Sequence, residues 1–530
     1  MHTKTIKNRI LTSILAFGLS ASTTWAQVPN YRVSAANAMD PNEVTIAINP
    51  TNHQNLIAGA NLNYVYISND GGYTWTQNRL SSLYGVWGDP SVTFDADGNG
   101  YFGHLANPPQ SLGFWIDRII IQKTSDGGTT WNGGAGIGLR LPRQQDKEWV
   151  TADITHSPYR NQIYTAWTEF DSYGSTHPAD SSRIRFSRST DGGETWSEAI
   201  TLSDHGGNCI DNGGTTEGAV PAVGPNGEIY VAWSGPLGIV LDRSFDGGKT
   251  FGIDRPVASH YGGWAQQVDG LQRANGMPVT GCDISNSPHR GTVYVLWSDR
   301  RNGDIDIFIT RSSNHGETWS EPLRVNDDNS GRDQFFPWLA IDPVTGGVYV
   351  VFYDRRNTQG DWTEVTVAFS HDGGQNFENR RVDEQAFDPE RQYFLGDYIN
   401  IAAYNGRVHP IWTRMDSNLR TVWTAVIVDT TATTAVTDKM ETPRDFSLMP
   451  AYPNPFNTET RIKYNLRETG PVTLRIYNSK GHRVGTLVNS TMPAGQHTVI
   501  FQGADLPSGV YIIQLSTAQG SMTQKCVLSR

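Results

Sequence analysis

The sequence predicts an all-β protein built from a repeated unit, and two observations carry this prediction. A turn motif, Ser/Thr-x-Asp-Gly-Gly-x-Thr followed by Trp or Phe, recurs along the chain at intervals of 55 to 68 residues. Between its copies lies a second repeat: an inner strand, a short turn and a strand rich in aromatic and β-branched residues. Self-similarity at such a period indicates a repeat fold in which each copy is one supersecondary unit. The six copies begin at Ser68, Thr124, Ser189, Ser244, Ser312 and Ser370.

Each copy of the motif has the chemistry of a β-hairpin turn. Its aspartate accepts hydrogen bonds from backbone N–H groups of the turn, and its glycines accept positive φ. The Thr-Trp pair then opens the returning strand and buries an aromatic ring beneath the turn. Two copies depart from the pattern, with Asn314 in place of Asp and Asn376 in place of Thr.

This motif resembles the Asp-box, or BNR repeat, of sialidases and related β-propellers. The resemblance implies a propeller, with the motif on a turn at the blade periphery and away from any active site. Seven inner-strand units against six motifs predict a seven-bladed propeller over residues 27–429, with six blades as the alternative. The seventh unit holds three strands, so we expect Tyr31–Ser34 to supply its fourth strand and close the ring.

Residues 1–26 have the features of a secretory signal peptide. Lys4, Lys7 and Arg9 precede the apolar stretch Ile10–Leu19, and Ala26 provides a cleavage position. No later segment approaches the apolar length of a membrane span, so no transmembrane segment is expected.

The C-terminal region predicts a separate domain. Residues 430–446 form a polar linker, and alternating runs in residues 447–530 predict a small β-sandwich. Tyr452–Asn457, Leu506–Tyr511 and the closing Gln524–Arg530 resemble the type A sorting domain of the type IX secretion system. The resemblance implies export across the outer membrane, with type IX machinery as a partner and release or anchoring at the surface. A plain accessory β-domain is the alternative.

Composition and motifs exclude several classes of function. The net charge of −11, without any basic run, argues against nucleic acid as a partner. No nucleotide-binding loop or Cys/His zinc spacing is present, so we expect no cofactor and no metal. Asp95–Gly100 is similar to the start of a calcium loop, but Ala106 stands where a bidentate Glu belongs. Cys209 and Cys282 are interpreted either as a disulfide pair or as two separate thiols.

Candidate catalytic residues are carboxylates near the starts of the inner strands. We expect them to form a partial ring around the tunnel mouth, where propeller loops bind ligands. Gathered like charges raise some pKa values, as general-acid catalysis requires. Capping of each carboxylate's own loop, or pairing with arginine, is the structural alternative. Asp89, Asp333 or Asp397 is the candidate acid, and a second carboxylate or Tyr398 is the candidate base or nucleophile. The ring consists of Glu43, Asp89, Glu148, Glu217, Asp283, Asp333 and Asp397.

Candidate substrate-binding residues are arginines and tryptophans. Near-identical stretches, Trp297–Arg301 and Phe352–Arg356, place arginines at the second-strand ends of adjacent blades. Arginine clusters bind carboxylates and sulfates through paired hydrogen bonds, which favours an acidic sugar as ligand. Asp–Arg bridging between blades is the alternative for the arginines, and blade packing is the alternative for the tryptophans. The candidates are Arg300, Arg355, Arg391, Arg414, Trp87 and Trp264.

These features favour a secreted glycoside hydrolase of sialidase-like fold that acts on acidic extracellular glycans. A polysaccharide lyase is one alternative, with Tyr398, His205 or His260 as the base. A non-catalytic propeller that binds glycan or protein is another, since propellers host many functions. The sialidase family holds its substrate carboxylate with three arginines, the first in a Phe/Tyr-Arg-Ile-Pro motif. Tyr31–Ser34 matches only the first two positions of that motif, Tyr and Arg.

Overall fold

The computed structural model describes residues 27–109, 113–431, 447–448, 451, 454–466, 469–492, 495–504, 506–518 and 520–529. The predicted signal peptide, 1–26, and nearly all of the predicted linker, 430–446, lie outside these residues. The chain divides into two compact units, Met1–Thr433 and Thr434–Arg530.

The first unit is a β-propeller. It begins with strand β1 (Asn30–Arg32), and its described residues form seven antiparallel sheets, each a path of four strands. The first sheet contains β2 (Thr45–Ile48), β3 (Leu56–Ala60), β4 (Tyr64–Ser68) and β5 (Thr76–Arg79). The second contains β6 (Gly88–Phe94), β7 (Gly100–Leu105), β8 (Ile119–Thr124) and β9 (Ala135–Ile137). The third contains β10 (Gln144–Ala152), β11 (Ile163–Phe170), β12 (Ser182–Ser189) and β13 (Ile200–Thr201). The fourth contains β14 (Glu217–Val223), β15 (Ile229–Gly235), β16 (Gly238–Ser244) and β17 (Arg255–Ala258), and a hairpin of β18 (Ala265–Gln266) and β19 (Ala274–Asn275) follows it.

The remaining three sheets complete the ring. The fifth sheet contains β20 (Val279–Cys282), β21 (Val293–Asp299), β22 (Asp306–Ser312) and β23 (Leu323–Arg324). The sixth contains β24 (Gln334–Ile341), β25 (Val348–Asp354), β26 (Glu364–Ser370) and β27 (Glu378–Arg381). The last contains β28 (Asn400–Tyr404), β29 (Arg407–Asp416) and β30 (Leu419–Ala425), with the short β31 (Ile427–Val428) beside β29. The first strand of each sheet contacts the first strands of both neighbours, and β28 returns to β2. These inner strands surround a central tunnel.

The fourth strand of the last sheet comes from the start of the chain, as the sequence predicts. Strand β1 pairs antiparallel with β30, with Tyr31 opposite Thr424. Val33 then donates its backbone N–H to the carbonyl of Val422 at 2.8 Å and buries its own side chain. Closure in this way covers the edge of β30, which would otherwise be left unpaired in the last sheet.

The second strands are buried on both faces because each sheet packs between two others. Strand β21 shows the consequence, since all of its residues are buried and its sequence is almost continuously apolar. A tryptophan occupies the same place in four second strands, and each is at most 2% exposed: Trp167, Trp233, Trp297 and Trp412.

The turn motifs connect the third and fourth strands of their sheets, at the edge farthest from the tunnel. In the third sheet, Asp191 accepts hydrogen bonds from the Ser189 hydroxyl at 2.8 Å and the Thr195 backbone N–H at 2.9 Å. In the second sheet, the Trp131 indole donates to the carbonyl of Gly128 at 2.9 Å. The motifs therefore stabilise the outer hairpins and lie away from the tunnel mouth.

The second unit has two packed sheets. Its strands are β32 (Ser447–Leu448), β33 (Glu459–Leu466), β34 (Gly470–Asn478), β35 (Arg483–Met492), β36 (Gly495–Gln502), β37 (Gly509–Thr517) and β38 (Gly520–Leu528). One sheet has the order β32-β33-β36 and the other β35-β34-β37-β38. Ile462 and Tyr464 of the first share a core with Leu474 and Ile513 of the second. Among the cysteines, Cys209 and Cys282 are separate buried thiols.

Candidate functional site

The site at one end of the tunnel is built by irregularities at the starts of the inner strands. The register shifts between Gly88 and Ser91 in β6, between Asp146 and Trp149 in β10, and between Glu217 and Val220 in β14. Such bulges place an extra residue opposite one partner and redirect side chains. As a result, the consecutive residues Asp146 and Lys147 both line the same cavity, which an alternating strand would not allow.

This mouth cavity has a volume of about 440 Å³. That is within the range of small-molecule sites, about 300–1,000 Å³. One wall is aromatic: Trp115 lies edge-to-face with Trp87 at 5.6 Å and with Tyr173 at 5.7 Å between ring centroids. Trp264 is buried in another wall and donates its indole N–H to the carbonyl of Thr215 at 2.9 Å.

Of the described residues, five carboxylates and two cations line the mouth cavity. The carboxylates are Asp89, Asp146, Asp211, Glu217 and Asp397, and the cations are Lys147 and Arg273. Glu43 lies beside them, buried, and its Oε1 accepts the backbone N–H of Asp397 at 3.2 Å. The mouth therefore contains more acidic than basic groups.

Burial and crowding raise the pKa of several of these acids. The pKa of Glu217 is raised well above its usual value by burial and then by Asp211 and Asp146. The pKa of Asp146 is raised by burial and by Asp89 and Asp211. Burial, Asp89 and Asp397 raise the pKa of Glu43 in the same way. Carboxyl groups with such values keep their protons at pH values where ordinary acids are ionised.

The two cations have different environments. Arg273 donates to both carboxylate oxygens of Asp397, with an Nε–Oδ1 distance of 3.0 Å, and its Nη1 lies 3.8 Å from Asp211. Lys147 has no hydrogen-bond partner for its Nζ among the described residues, and this nitrogen lies 4.2 Å from the ring centroid of Tyr398. Burial lowers the pKa of Lys147, but the surrounding carboxylates outweigh it and the net direction is upward.

Three aromatic rings separate the mouth cavity from the tunnel interior. Trp149 and Trp338 pack at 4.2 Å between centroids, and Tyr398 packs against both. The two tryptophans also line an inner cavity of about 280 Å³. The Tyr398 hydroxyl donates to the carbonyl of Pro90 at 3.0 Å, and burial raises its pKa well above the usual value. Tyr398 thus packs the floor, and this arrangement does not favour a nucleophile or base.

Five of the predicted site residues meet in the mouth cavity: Trp87, Asp89, Glu217, Trp264 and Asp397. Trp87 is 40% exposed, so its ring is accessible to a ligand. Asp333 is not among the lining residues; its Oδ1 accepts the backbone N–H of Ile305 at 3.0 Å. That contact joins the loop before β24 to the loop before β22, so Asp333 caps a neighbouring loop and not its own.

The predicted arginine cluster does not line the cavity. Arg355 is buried and donates to the Asp269 carbonyl at 2.8 Å, while Arg414 forms two hydrogen bonds to Asp416 at 2.8 and 3.1 Å. Arg300 is exposed and donates to the Gln267 carbonyl, and Arg391 is exposed in the loop before β28. Their local partners account for Arg300, Arg355 and Arg414, and Arg273 is the arginine that reaches the mouth.

Two members of the predicted carboxylate ring also lie elsewhere. Asp283 follows β20 at the opposite end of that strand, where it accepts the Ser285 N–H at 2.8 Å. Glu148 is buried, and neither of its carboxylate oxygens has a partner among the described residues. The bulge in β10 explains the position of Glu148, because it makes Asp146 and Lys147 the residues of this strand end that face the cavity.

Four residues of the mouth cavity were not predicted, because no local sequence pattern marks them: Trp115, Tyr173, Asp211 and Arg273. Each lies in a loop whose course depends on contacts with other sheets. Tyr173, for example, donates its hydroxyl to Asp211 at 2.8 Å across 38 residues of chain. The carboxylates at the starts of the inner strands were the sequence feature that indicated this end of the tunnel as the binding face.

Comparison with known proteins identifies the tail. Residues 450–529 match the secretion system C-terminal sorting domain. No curated protein matches the chain. The sorting domain indicates type IX secretion to the cell surface or extracellular space. In the part of the chain that the structure describes, no helix is long and apolar enough to cross a membrane.

Similar solved structures include a Hadza microbial sialidase, with 14% identity, 70% of this chain and 73% of that one covered, and a TM-score of 0.40. A Trypanosoma rangeli sialidase in complex with the inhibitor DANA has 12% identity, 86% of each chain covered and a TM-score of 0.39. An ulvan lyase of a new polysaccharide lyase family has 11% identity, 74% and 95% coverage and a TM-score of 0.45. All three scores lie below 0.5, and the propeller assignment rests on the chain's own sheets.

Proposed function

We propose that this protein is a secreted glycoside hydrolase whose catalytic carboxyl groups line the mouth cavity. The observation that carries the proposal is Glu217. Its side chain is 3% exposed, its Oε2 has no partner among the described residues, and it lines the cavity together with Asp397. Glycoside hydrolysis uses a protonated carboxyl group as general acid and an ionised one as base or nucleophile.

The environments of the two groups suit these two roles. Burial, Asp211 and Asp146 raise the pKa of Glu217, so it holds a proton that it can donate to a leaving oxygen. Asp397 is paired with the guanidinium of Arg273, which supplies the counter-charge of a carboxylate. Groups placed in contrasting environments within one cavity are the arrangement that acid–base catalysis requires.

The aromatic wall supports a sugar as the substrate. Trp87 and Trp115 are 40% and 39% exposed, and both face the cavity. Large rings of this kind offer apolar area for the faces of sugar rings, while their polar edges remain hydrated. The excess of carboxylates, together with arginines held elsewhere, disfavours the acidic glycan that the sequence suggested.

The charge and hydrogen bonding also disfavour a lyase. None of its candidate bases lines the cavity: the Tyr398 hydroxyl is bonded to the carbonyl of Pro90, and His205 is exposed in the loop before β14. His260 is bonded through both ring nitrogens, to Ser234 and to the carbonyl of Ser298, and burial lowers its pKa to about 4.

Product release detected by mass spectrometry tests the proposal. The full-length protein is incubated with neutral, amino-containing, uronate-containing and sulfated glycans, in parallel with Asp397→Asn. We expect a product with the mass of water addition from a glycan without acidic groups, and no product from the variant. An unsaturated product would indicate a lyase. Retention of a glycan on a column without any product would indicate a binding protein.

A further inference from the structure

We propose that the substrate carries a protonated amine that binds at Asp146 and Asp211, so that the substrate class is a glycan with unacetylated hexosamine residues. This inference rests on the proposed function and specifies its substrate. The acidic pair, Asp146 and Asp211, lies on the side of the mouth cavity that also holds Tyr173 and Trp115.

The two cations of the cavity leave the acidic pair only partly compensated, because the ammonium group of Lys147 acts on Asp146 without a hydrogen bond to it. Arg273 is engaged by Asp397 through two hydrogen bonds and reaches Asp211 only at 3.8 Å. Asp146 accepts the backbone N–H of Lys147 at 2.9 Å, and no side-chain hydrogen bond or ion pair to it is present among the described residues. A ligand cation would therefore meet a carboxyl group that has no hydrogen-bonded cation, and once it displaces the proton of that group the resulting charge-assisted hydrogen bond is among the strongest available.

Glu217 provides an independent sign that the cavity is built for a ligand. A carboxyl group that is 97% buried normally has a partner for each oxygen, because burial without one is costly. Its Oε2 has none among the residues described, although the side chain lines the cavity (3% exposed). A glycosidic oxygen placed beside Glu217 would supply the missing partner while the amine occupies the acidic pair.

The aromatic wall favours the same chemistry. The rings of Trp87 and Trp115 have exposed area in the cavity, and neither has a cation over its face in the described part of the chain. An ammonium group near such a face gains cation–π attraction, whereas a carboxylate or sulfate would be repelled. Carboxylates and indole faces together select a cation over a neutral or anionic group.

Acetylation of the amine should therefore abolish the preference. An N-acetyl group is neutral and bulkier, so it forms no charge-assisted bond with Asp146. We expect the free-amine form of an oligosaccharide to bind roughly 10- to 100-fold more tightly than the acetylated form. The difference should shrink in high salt, because screening weakens charge–charge attraction.

Isothermal titration calorimetry of the full-length protein tests this inference with two probes. They are a fully deacetylated and a fully acetylated chito-hexamer, at about pH 6 so that the amines are largely protonated. Titration in two buffers of different ionisation enthalpy should show proton release on binding of the amine form. The reason is that burial raises the pKa of Asp146, and an arriving cation displaces its proton.

Two variants and one control assign the effect. Asp146→Asn should remove the amine preference and the proton release, so that the ratio of the affinities for the two hexamers approaches one. Glu217→Gln should abolish hydrolysis but retain the amine preference. Asp333→Asn, outside the cavity, should change neither, and thermal unfolding confirms that each variant is folded. If Asp146→Asn is unfolded, Asp211→Asn serves in its place.

The two proposals fail separately. Equal or tighter binding of the acetylated hexamer, or binding of neither probe, would overturn the amine proposal. Tight binding of the amine form without hydrolysis would support it and contradict the hydrolase. Cleavage of neutral glycans without an amine preference would support the hydrolase and contradict the amine proposal.

Discussion

Replacement of Lys147 with methionine tests whether one ammonium group compensates the carboxylates of the mouth. Its Nζ lies 4.2 Å from the Tyr398 centroid without a hydrogen-bond partner among the described residues, so its interactions are electrostatic. Lys147 lowers the pKa of Glu43, Asp146 and Glu217, in each case against a larger upward effect of burial. Methionine keeps the apolar stem and removes the charge.

The expected loss of stability follows from these contacts. Removal of one partner from a buried charge cluster costs about 3–5 kcal/mol, because the remaining charges are left uncompensated. Loss of the cation–π contact adds about 0.5–2 kcal/mol. We therefore expect Lys147→Met to lower the free energy of unfolding by about 4–7 kcal/mol at about pH 8.

The loss should depend on pH in a defined direction. When folding raises the pKa of an acid, the fold becomes progressively less stable as the pH rises from the pKa of the unfolded state towards the pKa of the folded state. For Glu43 and Glu217 the unfolded pKa is 4.5. At about pH 5 most of this penalty is absent in the variant, because the carboxyl groups are protonated in the folded state. Lys147 itself remains charged over this range, since its pKa is raised above 10.5.

Urea unfolding followed by tryptophan fluorescence at the two pH values measures the effect. We expect less than half of the loss at the lower pH. Lys123→Met is the matched control, because Lys123 lies 5.8 Å from the centroid of Tyr101 and outside the carboxylate cluster. Equal losses at both pH values would refute the electrostatic reasoning and assign Lys147 a packing role only.

Three further predictions concern the fold. His104 is buried with its pKa lowered to about 4, so stability should be lost as the pH falls from 6.5 towards that value, by roughly 3 kcal/mol. His104→Gln should flatten this acid dependence in urea unfolding, and an unchanged slope would contradict the assignment. Asp191→Ala removes the turn contacts to Ser189 and Thr195 and should cost about 1–2 kcal/mol of unfolding free energy without lowering kcat. Deletion of β1 should lower the thermal midpoint and promote association, measured by light scattering, since it exposes the edge of β30.

Much of the fold could be predicted because each repeat is a sequence pattern that determines a local turn or strand. The turn motif requires an aspartate and glycines in fixed places, and the second strands alternate with it at a regular period. Closure by β1 was also predictable, because the last unit lacked its fourth strand and the strand predicted at Tyr31–Ser34 belonged to no other unit. Such features depend on residues close in sequence, where propensity and turn chemistry act directly.

The site was only partly predictable because its geometry is set by bulges and by contacts between distant loops. Asp89, Glu217 and Asp397 lie near the starts of the inner strands, and the recurrence of carboxylates at that position was enough to predict them. Asp146 reaches the cavity through the bulge in β10, which shifts the register by a residue and sends Glu148 elsewhere. Arg273 comes from a hairpin inserted before β20, and no local pattern indicates which sheet it will meet.

The most direct test of the central claim compares hydrolysis by two carboxyl variants of the same protein. Glu217→Gln keeps the shape of the cavity wall and removes the acid, while Asp333→Asn makes an equivalent change outside the cavity. With the glycan that the wild type cleaves, we expect kcat to fall about 100- to 10,000-fold in the first variant and to stay near wild type in the second. Equal activity in both variants, or absence of any product from the wild type, would contradict catalysis at the mouth cavity.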